Sequence, residues 1–189
     1  MPPKVKITKS DILQAALELL RQEGEVAVNA RRIAVALDCS TQPIFSNFSD
    51  MEELQRAVLT AAYELYWGFL QREVESGAYP AYKSFGMAYI RFAREEKQLF
   101  KRLFMCDRKE RELLPTTDFD ASVNMIMGAN GVTREVAELM HLETWACVHG
   151  IATMQATSFL DLDEELVSRM LTDVYQGIRA KHLQREDQA

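Results

Sequence analysis

Thr41, Gln42 and Pro43 are consecutive residues whose side chains can read the edges of base pairs. A glutamine can meet adenine through carbonyl and amide together, while a threonine methyl or a proline ring can meet the methyl of thymine. Gln42 is therefore the candidate for sequence readout. Residues that grip phosphate stand nearby: Ser46 and Asn47 one turn later, and Lys9, Arg31 and Arg32 upstream. Contacts of that kind fix register on a duplex without carrying sequence information.

Two short helices must position these groups. Asn29 is a helix N-cap, its side-chain oxygen placed to accept from the amide of Arg31 or Arg32. Ala30, Ile33, Ala34 and Leu37 follow at helical spacing, so one face can be buried while both arginines project away. Asp38 and Cys39 carry a turn, Ser40 is predicted to cap the second helix, and Pro43 is tolerated in its first turn. That helix is expected from about Thr41 to Asn47. The pair reads as a helix-turn-helix, whose second helix presents its N-terminal residues to the major groove.

The flanks extend this to a three-helix unit. Thr8 with Asp11 starts a helix with the apolar stripe Ile12, Ala16, Leu19 and Leu20, ending near Gly24. Ser49 and Asp50 start another, with Glu52 and Glu53 in the first turn, where the helix dipole favours acid. Its stripe of Leu54, Val58, Ala61, Leu65 and Phe69 runs far beyond a compact reading unit. The expected division is a helix-turn-helix DNA-binding domain over 1–50 and a helical second body over 51–189.

The second body shows helical periods and almost no strand alternation. Gly77 to Pro80 breaks the connector, Ala81 to Glu96 forms a helix with Phe85, Ala88, Tyr89 and Phe92 on one side, and Leu99, Phe100, Leu103 and Phe104 cluster after it. Asp107 to Asp118 is expected to be a loop, Phe119 to Gly128 a short helix, and Asn130-Gly131 a turn. Thr133 caps a helix of about twenty-five residues with the stripe Val136, Met140, Cys147, Ile151 and Met154, and Ala146 and Gly150 leave room for another helix to approach. The final helix opens with Asp163, Glu164 and Glu165, closes with Arg179, Lys181 and His182, and carries a wide apolar face from Leu166 to Ile178. These last two helices are the expected homodimer pair, joining as a four-helix bundle about a two-fold axis. A pocket for a small apolar or amphipathic effector is expected among Tyr89, Phe92, Phe104, Met125, Trp145 and Met154, with His149 as its polar handle. The same aromatic and methionine stripes also suit a plain core.

Composition describes a globular chain of 189 residues with 48% hydrophobic and 26% charged residues. No apolar run reaches the roughly 18–20 residues that cross a bilayer, and Met-Pro-Pro-Lys does not lead into a signal peptide, so a cytoplasmic address is expected. Cys39, Cys106 and Cys147 are odd in number and far apart, the pattern of reduced thiols. The net charge of −6 is unevenly placed: residues 1–48 hold six Lys/Arg against five Asp/Glu, and the remainder holds sixteen against twenty-three. A reading unit of +1 implies modest non-specific affinity for a polyanion and dependence on correct dimer spacing.

The order of parts resembles the N-terminal region of the tetracycline-repressor-like (TetR) family of transcriptional regulators. The resemblance covers roughly residues 8–59 and rests on Asp-Ile-Leu-Gln-Ala-Ala-Leu-Glu-Leu-Leu (11–20), Gly24, Arg-Ile-Ala (32–34), Cys-Ser-Thr-Gln-Pro-Ile-Phe-Ser-Asn-Phe (39–48) and Glu-Leu (53–54). Trp145-Ala-Cys-Val-His-Gly150 is similar to a Trp-x-x-x-His-Gly pattern in the C-terminal domains of some members. The resemblance implies an all-helical homodimer with N-terminal helix-turn-helix units and a C-terminal ligand-binding and dimerisation domain, repressing until a small molecule releases it from the operator. Phe45 stands where the family most often has a tyrosine that reaches a phosphate, Asn47 where histidine is frequent, and Met51 where a lysine commonly contacts the backbone. The missing cation implies a smaller electrostatic share of binding.

Two other functions compete. A helical carboxylate-metal enzyme would use Glu138 and His141, which have Glu-x-x-His spacing, but a matching second motif on a facing helix is missing, as are a phosphate loop and a nucleophile elbow. An interaction protein that kept the helix-turn-helix and lost DNA is the other, supported by Met51 and the low positive charge. Neither a metal nor another cofactor is expected.

Overall fold

The computed structural model describes residues 7–106 and 117–186, with nine α-helices, one 3-10 turn and no strand among the described residues. The helices are α1 (Lys9–Glu23), α2 (Ala30–Ala36), α3 (Gln42–Asn47), α4 (Met51–Ser76), α5 (Ala81–Glu95), α6 (Lys97–Phe104), α7 (Thr117–Asn130), α8 (Arg134–Ala156) and α9 (Glu164–Glu186). The expected all-α class is what is found. None of these helices is long and apolar enough to cross a membrane. Contacts divide the chain into two compact units, with the divisions at Leu65/Tyr66 within α4 and at Lys97/Gln98.

In the first unit, local chemistry starts and stops the helices. Thr8 and Asp11 form a reciprocal capping box on α1: the Asp11 amide donates to the Thr8 hydroxyl at 3.2 Å and the Thr8 amide to the Asp11 carboxylate at 2.8 Å. Gly24 ends the helix at φ +84°, a conformation that side-chain-bearing residues rarely adopt, and a Cβ there would lie 3.2 Å from Gln98. Asn29 caps α2 by accepting from the Arg32 amide at 3.1 Å. Replacing Asn29 with alanine is expected to lower stability by about 0.5–2 kcal/mol, read as a shifted denaturation midpoint with an unchanged slope.

Ile12, Ala16, Leu17 and Leu20 of α1 are buried with Ile33, Ala34, Ile44 and Phe48. Leu17 takes the place expected of Leu19, which is half-buried, because the buried face of α1 leans the other way round the helix. The α4 stripe also departs from expectation. Leu54 and Val58 are buried as foreseen, but the stripe continues through Ala62, Tyr66 and Leu70 rather than Ala61, Leu65 and Phe69, and Leu65 is 37% exposed. Successive steps of four residues rotate a stripe by about 40° per turn on a helix of 3.6 residues per turn, so the buried side drifts as α4 passes between the units.

In the second unit α8 is the central helix, contacting α5, α7 and α9. Thr133 caps it, accepting from the Val136 amide. Its buried face is Ala137, Met140, Thr144, Val148, Ile151 and Gln155. Of the stripe expected there, Met140 and Ile151 are buried and Val136, Cys147 and Met154 are half-buried, because neighbours on three sides widen and turn the buried face. Gly86 on α5 lets this packing close: a Cβ there would lie 3.2 Å from Leu171 of α9 and 3.4 Å from Val148 of α8. The loop expected at 107–118 falls outside the described residues up to 116, and α7 begins at Thr117, two residues earlier than expected.

Candidate functional site

The turn between α2 and α3 works through Asp38, whose φ of +48° is the left-handed conformation that aspartate tolerates, while the Cys39 amide closes the turn on the Ala34 carbonyl at 2.9 Å. Ser40 does not cap α3 as expected. Thr41 occupies that position with helical backbone angles and no side-chain cap, and its carbonyl accepts from the Ile44 amide at 3.1 Å. Pro43 lies in the first turn, where its missing N–H leaves nothing unmade. Ile44 at 0% exposure and Phe48 at 1% pin the helix to the core.

That anchoring leaves Gln42 exposed at the first residue of α3, its amide group without a hydrogen-bond partner among the described residues. Thr41 and Pro43 flank it half-buried, and Phe45 is 50% exposed one turn on. An apolar ring on this outer face can pack on a sugar or a methyl group but cannot donate.

The phosphate candidates divide into engaged and unengaged groups. Ser46 donates to the Gln42 carbonyl at 2.9 Å and Asn47 to the Pro43 carbonyl at 2.8 Å, both turned back into their own helix. The side chain of Asn29 serves its cap, its amide facing the Val26 carbonyl at 3.4 Å. Lys9 pairs with Glu53 at 2.6 Å and lies 4.4 Å over the Phe48 ring. Arg32 makes two bonds to Glu23, at 2.7 and 2.5 Å. Arg31 is exposed and has no partner among the described residues. The hydrogen bond from Lys9, with the Ser49 amide, holds the Glu53 carboxyl far below the usual range, at about 2. Neither pairing was foreseen from the sequence, because the partners lie 9 and 44 residues apart.

In the second unit, Tyr89 hydrogen-bonds His149 at 2.9 Å, and the Trp145 ring stacks on His149 with centroids 4.9 Å apart. Tyr89 and Phe92 are buried against Tyr66, and Phe92 also meets Phe69 edge-on. Phe104 belongs to the first unit, where its ring packs on Phe100. Met125 and Met154 are half-buried on α7 and α8. The structure thus brings Tyr89, Phe92, Trp145 and His149 into one aromatic cluster. None of the seven lines the cavity of about 70 Å³ bordered by Met87, Ile90, Arg91, Gln155, Leu162 and Val167. A cavity of that size is far below the roughly 300–1,000 Å³ of small-molecule sites.

Glu138 and His141 do not converge. Glu138 pairs with Arg134 at 2.7 Å, while His141 hydrogen-bonds Tyr82 at 3.0 Å, and burial pushes the imidazole down and the Tyr82 phenol up. Among the described residues no three side chains of metal-ligating type come together. Cys39, Cys106 and Cys147 are free thiols.

The sequence matches no family model and no curated protein. Solved structures do match. A TetR-like transcriptional regulator from Rhodococcus sp. RHA1 is similar at TM-score 0.64 and 13% identity, over 93% of this chain and 96% of that one. A TetR family member from Streptomyces coelicolor A3 gives TM-score 0.60 and 14% identity, over 88% and 96% of the two chains. The fatty acid degradation regulator FadR from Bacillus halodurans gives 0.62 and 13%, over 95% and 97%. The resemblance carried by residues 8–59 therefore holds at the level of architecture: the chain has the fold of the TetR-like transcriptional regulators.

Proposed function

We propose that this chain is a sequence-specific DNA-binding transcriptional regulator, cytoplasmic, acting as a homodimer on an inverted repeat. The observation that carries the reading is Gln42, exposed and unpartnered at the start of a helix that Ile44 and Phe48 hold against the core. A dimer matches it to DNA, since two such helices about 34–36 Å apart reach successive major-groove faces. The domain division belongs to the same proposal, with residues 1–50 reading DNA and 51–189 binding effector and partner.

Support for the dimer comes from α8. Leu139 is 44% exposed, Leu142 is 56% exposed, Ala146 is exposed, and nothing lies within 4 Å of a Cβ built on Gly150. Their spacing of three, four and four residues places them on one side of the helix, opposite the buried face. Support for an effector comes from the Tyr89–His149 hydrogen bond beside Trp145, a polar pair within an aromatic cluster that an amphipathic molecule could displace. Repression relieved by that molecule is the mode we infer.

Selection from random duplexes should enrich an inverted repeat. Gln42→Ala should then lose about 1–3 kcal/mol of discrimination at one base pair per half-site, read as binding to all single-base variants of the selected duplex. A uniform loss at every position would make Gln42 a backbone contact. Failure to enrich any sequence at low salt would favour the interaction protein that has lost DNA.

A further inference from the structure

Two of the three cations expected to meet phosphate are already bound to carboxylates within the first unit. Arg32 of α2 makes two bonds to Glu23 at the end of α1, and Lys9 at the start of α1 pairs with Glu53 in the first turn of α4. Both pairs join separate helices. Glu53 is fixed from a second side by the Ser49 amide, at 2.7 Å, and Lys9 by the Phe48 ring. The low carboxyl value of Glu53 keeps that pair charged throughout the neutral range.

We propose that Glu23 and Glu53 are internal phosphate mimics that suppress sequence-independent DNA binding by holding Arg32 and Lys9 in the free protein. This rests on the DNA-binding reading above and concerns its sequence-independent part. A carboxylate and a phosphate compete for the same donors, and Arg32 must give up two hydrogen bonds before it can engage a backbone. The released carboxylate then faces a polyanion. Non-specific binding draws almost wholly on cation–phosphate contacts and counterion release, so the penalty removes most of its small free energy, whereas a specific complex that bears the same penalty keeps its base contacts. Of the three cations only Arg31 is unengaged among the described residues, which leaves the unspecific term small.

The test uses the full chain with Glu23→Gln and Glu53→Gln, each titrated by fluorescence anisotropy against a random-sequence duplex and the selected duplex. Glutamine retains a carbonyl to accept from Ser49, and thermal unfolding of each variant checks that the fold is kept. For the random duplex the affinity should rise roughly two- to tenfold, and the salt slope between about 50 and 200 mM should steepen by about one contact. The selected duplex should gain by a similar factor, because the same two pairs are broken in both complexes. In an Arg32→Ala background the gain from Glu23→Gln should vanish. Glu64→Gln, which removes an exposed α4 carboxylate with no partner among the described residues, should leave both affinities unchanged.

No gain on the random duplex, or a gain that persists without Arg32, would overturn the proposal while leaving DNA binding intact. Absence of binding to any duplex by wild type and variants alike would overturn both.

Discussion

Replacing Arg91 with alanine should destabilise the protein by about 3–5 kcal/mol, more than any other single change considered for this chain. Arg91 on α5 bonds the carboxylate of Glu73, whose side chain is 3% exposed at the end of α4, and reaches Glu164 at the start of α9 at 2.6 Å. Three helices of the second unit thus meet on one guanidinium. Removing it leaves the buried Glu73 carboxyl without its guanidinium partner, and that uncompensated burial is the source of the loss. The double variant Glu73→Leu with Arg91→Met should recover most of the stability, because an apolar pair of similar volume carries no desolvation penalty. Urea denaturation of the four proteins checks this. A small loss in Arg91→Ala, or a double variant no better than the single, would show that water reaches Glu73.

Leu142→Glu should convert a dimer into a monomer and lower affinity for the selected duplex by at least about a hundredfold, the scale on which two linked half-sites exceed one. Leu142 is 56% exposed in the protomer, so the substitution removes little internal packing and the melting temperature of the isolated chain should fall only slightly, apart from the share contributed by association. In a bundle of α8 and α9 about a two-fold axis, a glutamate placed there would be desolvated beside its symmetry mate. Sedimentation over a concentration series and anisotropy with the selected duplex read the two effects together. A variant that stays dimeric would move the interface elsewhere. A monomer that binds as tightly as wild type would remove the need for symmetry.

Signals confined to one turn were legible in the sequence. Thr8 with Asp11, Gly24, Asn29 and Thr133 each mark a helix end through a bond to a residue three or four positions away, and each does so in the structure. The start of α3 was missed by one residue: Thr41, not Ser40, precedes the helix, with helical backbone angles and no side-chain cap that residue type could have announced. Stripe direction was harder. Leu17 and Leu19, or Ala61 and Ala62, satisfy helical spacing almost equally, and only the neighbouring helices decide which is covered.

The exposure of Gln42 was legible in the sequence, and the electrostatics around it were not. Gln42 stands where the spacing put it, exposed on the second helix. The partners of Lys9 and Arg91 are not local: Glu53 is 44 positions from Lys9 and Glu73 is 18 from Arg91, and no periodicity links them. Nor could spacing show that Ser46 and Asn47 turn their donors back on their own helix. A pocket was expected among seven residues, of which Tyr89, Phe92, Trp145 and His149 come together as an aromatic cluster, while its filling by Tyr66 and Phe69 depends on the course of α4.

The measurement that bears most directly on the central claim is a titration of the wild-type protein, at near-physiological salt, with the duplex it selects and with a shuffled duplex of the same composition. A preference of at least about 1,000-fold for the selected duplex is expected, the lower end of what sequence-specific regulators show. Equal affinity for the two, or none for either, would contradict it.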